Sequence, residues 1–185
     1  MTRLAPLLVL SAILAFVAAG CGGPSAEEKW AGTVCSDIGD WQDQIQKSVS
    51  DIREEIQSPK AGTLAAIDTE VGEAADATRQ LVSDLRALGA PDTESGDQAK
   101  QQVDALATQL DSTVTQAKQT VDSLPQNADV AQIAQTFAPL LPSLQSLAVK
   151  VSSTLASVQA SGSKMKEGFE KADSCEQFRE ANRAS

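Results

Sequence analysis

The chain has 185 residues, no histidine or tyrosine, 3% aromatics, and 25 acidic against 15 basic residues for a formal charge of -10, which is enough length for one domain with a real core. A surface this acidic repels nucleic acid and anionic headgroups, so neither is expected as a direct partner. Without histidine, the usual Cys-His nucleophile and the Glu-x-x-His metal site of helical bundles are excluded, and abundant Ala, Ser, Gln and Asp with few aromatics tilt the balance from strand to helix.

In chain order, the single positive residue Arg3 precedes Leu4 to Ala19, which carry no charge and are broken only by Pro6 and Ser11. That is the layout of a signal peptide over residues 1–20. The run is shorter than the roughly 20 residues needed to span a membrane. It ends at Gly20-Cys21-Gly22-Gly23-Pro24, where helix propensity collapses. Ala18, Ala19 and Gly20 directly before Cys21 resemble the lipobox of bacterial lipoproteins, with Ala18 at the position where that family prefers Leu or Val, and Val17 one step earlier. The resemblance implies cleavage before Cys21 and acylation of its sulfur, palmitate being the expected kind of chain. It further implies attachment to the outer, extracytoplasmic face of the cell membrane without spanning. Each buried methylene contributes about 0.8 kcal/mol, and more than one chain makes such an anchor stable. Residues 21–25 then form the lipidated cysteine and a flexible tether, and residues 26–185 the extracytoplasmic domain.

Two cysteines remain, Cys35 and Cys175, near opposite ends of the mature chain. Exported thiols meet an oxidising compartment and usually pair, so a Cys35–Cys175 disulfide is expected. Closing a loop of 140 residues stabilises by at most roughly 5 kcal/mol in the chain-entropy model.

From Ala26 to Gln57, the apolar residues Trp30, Val34, Ile38, Trp41, Ile45, Val49, Ile52 and Ile56 recur at steps of three and four, a heptad stripe of coiled-coil type. Ser58-Pro59-Lys60-Ala61-Gly62 ends it. Leu64, Ile67, Val71, Ala74, Leu81, Leu85 and Leu88 mark a second helix that stops at Gly89-Ala90-Pro91. Ala99, Val103, Leu106, Leu110, Val114, Ala117, Val121 and Leu124 mark a third, ending at Pro125. Val130, Ile133 and Phe137 open a fourth periodic segment with Asp129 as N-cap, and Pro139 and Pro142 should kink or break it. Leu144, Leu147, Val151, Leu155, Val158, Met165 and Phe169 lead on to Cys175.

These stripes bury most simply as an all-α, up-and-down antiparallel bundle of about four long helices with a broken last helix. A straight fourth helix would carry Cys175 past Cys35 by on the order of 35 Å. The excess is absorbed either by a separate short helix at Pro139 to Pro142 or by a reversal at Ser161-Gly162-Ser163. The stripe passes through Gly162 without slipping, which favours the break at the prolines, with the last residues curling back.

Trp30, Trp41, Met165 and Phe169 are candidates for lining an apolar ligand pocket near the tethered end, although core at the top of the bundle is the reading favoured. Glu70, Glu73 and Asp76, and Asp51, Glu54 and Glu55, read as solvated helix surface rather than a calcium site. Ser161-Gly162-Ser163-Lys164 matches the S-x-x-K string of penicillin-recognising enzymes, but their S-D-N and K-T-G elements are absent. No catalytic residue, metal site or cofactor is therefore expected, and the chain is expected not to be an enzyme.

The chain as a whole resembles the small alanine-rich helical lipoproteins of actinobacterial type. This resemblance implies an outward-facing, membrane-tethered protein and no substrate. The function expected is that of a non-enzymatic envelope component presenting an interaction surface to another envelope protein. The alternatives are a bundle holding a small apolar or cationic molecule between its helices, and a purely structural spacer.

Overall fold

Ser25 starts the first helix by accepting a hydrogen bond from the Glu28 amide, and Glu27 and Glu28 favour the positive end of the helix dipole. In a computed structural model, which describes residues 23–125, 128–137 and 140–184, α1 runs over Ala26–Gln57. Its buried side is the heptad stripe at Trp30, Val34, Ile38, Trp41 and Ile52. Gly62, at φ 94°, turns the chain through the left-handed region that glycine enters without strain, and α2 follows over Thr63–Ala87. α3 spans Gly96–Asp122, α4 Val130–Phe137, α5 Leu140–Gln159, α6 Ser163–Lys171 and α7 Asp173–Ala184. The fold is an all-α helical bundle, and among the described residues none lies in a strand. No described helix is long and apolar enough to cross a membrane.

The direction of each helix follows from its cross-contacts. Trp41 Nε1 donates to Thr78 Oγ1 at 2.9 Å and Trp30 Nε1 to the Gly89 carbonyl at 2.8 Å, so α1 and α2 run antiparallel. The Trp30 end, which bears the chain's N-terminal side, is one pole of the bundle. At the opposite pole Ile133 of α4 joins Ile52, Ile67, Val71 and Val121 in a small apolar cluster separate from the main core. α3 descends from the first pole to the second, and α5 returns beside it. α6 then crosses to the start of α1, where Gly168 lies so close that a Cβ would stand 2.7 Å from the Glu27 carbonyl carbon. α7 descends along α1, its Ser174 hydroxyl donating to the Gly32 carbonyl at 2.7 Å and Phe178 lying against Gly39.

α1, α2, α3 and α5 are thus the four long helices expected, but the way the extra length is absorbed differs from expectation. The chain breaks between α4 and α5 and also reverses at Ser161-Gly162, the device that had been set aside. Continuity of the stripe from Val158 to Met165 is one heptad step, and a heptad step is compatible with either a straight helix or a turn that returns the face to the same core. Gly162 adopts extended backbone and sits against Ser95 at the first pole, which fixes the reversal there. Pro139 lies outside the described residues. Pro142 falls in the first turn of α5, where its missing amide donor costs no intrahelical bond. The N-cap expected at Asp129 is present as a reciprocal pair: the Gln132 amide donates to Asp129 Oδ1 at 2.8 Å, and the Asp129 amide donates to Gln132 Oε1 at 3.1 Å.

Candidate functional site

Four side chains were candidates for a pocket, and the fold brings them all into the main core. Phe169 and Met165 are fully buried on α6, and Trp30 and Trp41 keep only 6% and 4% of their surface. The rings of Trp30 and Phe169 meet edge to face with centroids 6.2 Å apart, a favourable arrangement of their quadrupoles. Both indole N–H groups are satisfied within the protein, Trp41 by a threonine hydroxyl that itself donates to the Ala74 carbonyl at 2.8 Å. All four belong to one buried core cluster, within which Trp30 and Phe169 pack directly on each other.

Cys35 and Cys175 form a disulfide with their Cα atoms 5.0 Å apart. It ties α7 to α1 about two and a half turns from the start of α1, beside the same aromatic centre. Cys21 and the whole leader lie outside the described residues. Ser161 of the S-x-x-K string lies in the turn after α5, its hydroxyl donating to the Val158 carbonyl at 2.6 Å, and Lys164 is exposed.

Some carboxylates of α1 and α2 are engaged locally. Asp51 pairs with Lys47 at 2.8 Å, Glu55 with Lys60 at 2.9 Å, and Asp76 with Arg79. Exposed pairs of this kind contribute little to stability. Asp37 differs: partial burial, then the charges of Asp84 and Asp40, push its carboxyl above the usual range. A raised folded-state pKa means that ionisation penalises the fold, so wild-type stability gained below the unfolded pKa is lost as pH rises through the folded one. Asp37→Asn should therefore stabilise at neutral pH, by no more than about 0.5 kcal/mol after solvent screening. Urea melts of both proteins between pH 3 and pH 7 should show the advantage shrinking on acidification. An advantage independent of pH would remove the carboxylate as its cause.

The open feature of the surface lies at the other pole. Between the start of α2, the end of α3 and the start of α4 is a cleft of about 780 Å³. Leu64, Val121, Leu124 and Ile133 supply its apolar lining, and Lys60, Asp68, Asp122 and Asp129 its charges. Among the described residues the ends of α1 and α3 and the starts of α2 and α4 meet here, and Leu64, Leu124 and Ala128 pack on the small cluster yet stay partly exposed. The sequence pattern assigned Leu64 and Leu124 to core stripes. What it could not register is that a stripe residue at a helix end lacks a neighbour on one side. α1 separates the two poles by about 48 Å, from its 32 residues at roughly 1.5 Å each.

No protein-family model matches the chain, and comparisons with curated proteins and with solved structures likewise find no match.

Proposed function

We propose that the protein is a non-enzymatic binding module of the cell envelope, held by lipid on Cys21 to the outer face of the membrane and presenting its far pole to a partner protein. The observation that carries this reading is polarity. The chain emerges from the tether at Ser25, beside a filled and disulfide-tied core, whereas the partly uncovered apolar surface lies about 48 Å away at the other end of α1. An anchor at one end and an open apolar cleft at the other suit a protein that reaches from a membrane. The burial of Trp30, Trp41, Met165 and Phe169 in one core cluster supports this over a ligand held between the helices near the tether.

The test is photo-crosslinking in living cells, with the crosslinking residue placed either at Ala65 in the cleft or at Lys164 near the tether. Each would be made with and without Cys21→Ala, which removes the acylation site. The expected result is one envelope protein captured from position 65, not from position 164, and lost with the anchor. Equal capture from both poles, capture indifferent to Cys21, or no capture at position 65 would each overturn the reading.

A further inference from the structure

The cleft at the far pole joins a half-covered apolar floor to a carboxylate rim. Leu64 and Leu124 pack on Ile67, Val121 and Ile133 but remain partly exposed. Asp68, Asp122 and Asp129 stand around them. The cations nearby are already engaged: Lys60 lies 2.9 Å from Glu55 and Lys118 2.8 Å from Asp122. Asp68 and Asp129 form no ion pair among the described residues, and both are exposed. With Asp68, Asp122 and Asp129 against Lys60 in the lining, an incoming cation meets net negative charge next to apolar surface, on a chain whose formal charge of -10 also attracts it from a distance.

We infer that this cleft receives an amphipathic helix of the partner, which lays an apolar i, i+3, i+4, i+7 face on Leu64 and Leu124 and sets basic residues against Asp68 and Asp129. The inference rests on the binding-module reading and adds the chemistry of the partner. The partly exposed Leu64 and Leu124 beside three carboxylates and one lysine match a segment that is apolar on one face and basic at its edges, which an amphipathic helix is. Basic flanks also separate this partner from the protein's own acidic helices, which the same rim repels.

The test uses the mature chain with its disulfide intact and two fluorescein-labelled helical peptides. Both carry leucines at the i, i+3, i+4, i+7 positions; one has lysines at the flanking positions and the other glutamates. Fluorescence anisotropy should show binding of the lysine peptide, and binding at least about tenfold weaker for the glutamate peptide. Asp68→Lys should weaken the lysine peptide by about fivefold more than Asp43→Lys, a control of equal charge change on exposed α1 surface. Ala65→Trp, at an exposed cleft position, should abolish binding by occupying the floor. Failure of the lysine peptide to bind, indifference to Ala65→Trp, or equal effects of the two charge changes would overturn the inference. So would dodecyltrimethylammonium binding more tightly than the peptide below its micelle concentration, which would assign the cleft to a small cationic amphiphile. Should these peptide results fail while crosslinking from position 65 still captures an anchored-form partner, the binding-module reading stands and only the partner's chemistry is wrong.

Discussion

Phe169→Ala lowers the free energy of unfolding by about 3–5 kcal/mol, the range for deleting a fully buried aromatic ring. Phe169 is the largest fully buried side chain described and keeps no exposed surface. Its loss also removes the edge-to-face contact with Trp30 and leaves a space that neighbours cannot close. Gly168, the residue before it, already stands against the backbone at Glu27, so α6 cannot move closer to fill the gap. Urea unfolding followed by tryptophan fluorescence measures the effect, since Trp30 reports on the altered site directly. Phe169→Leu keeps most of the volume and should cost less than half as much as the alanine variant. A loss under about 1 kcal/mol for Phe169→Ala would mean that α6 does not dock on α1 in this way.

The second large effect concerns the disulfide. The double variant Cys35→Ser, Cys175→Ser should lose about 2–5 kcal/mol of stability, because the cross-link restricts an unfolded loop that closes over 140 residues. The loss should concentrate in α7. That helix has 12 residues, too few to be stable in isolation. Without the bridge it is held by Phe178 at Gly39, the Ser174 bond to Gly32, and the Arg179 guanidinium donating to the Phe169 carbonyl at 3.0 Å. Hydrogen exchange of the double variant should show α7 amides losing protection while α2 and α3 keep theirs. Uniform loss of protection would mean that the bridge stabilises the bundle as one unit. Unchanged stability and exchange would mean that α7 docks without it.

These two effects converge on the pole nearest the tether. The aromatic pair and the disulfide both fix the return of the chain onto α1, leaving the far pole with only its small cluster of Ile52, Ile67, Val71, Val121 and Ile133. The bundle is thus most firmly closed where the anchor is proposed to pull and least covered where the partner is proposed to dock.

The sequence by itself determined the class of fold, the extents of the first three helices to within a few residues, and the identity of the disulfide. Each of these follows from local or compositional constraints. A three-and-four apolar repeat can bury itself only as a helix face, proline and glycine mark where such a face stops, and with Cys21 set aside as the expected acylation site the other two cysteines admit one pairing. The Asp129 cap was legible for the same reason, since capping involves residues three apart. Other features depended on contacts between distant segments. Thr78 occupies the gap in the α2 stripe between Ala74 and Leu81, and its hydroxyl is buried because Trp41 needs an acceptor there. A hydrophobicity pattern passes over a threonine because it records no partner. The reversal at Gly162 was hidden because a turn spanning one heptad leaves the stripe in phase. Most of all, the four residues weighed between core and pocket are buried in the core, whereas Leu64 and Leu124, read only as core, border the open cleft. Periodicity states which side of a helix avoids water, but only the packing of neighbouring helices decides whether that side is covered.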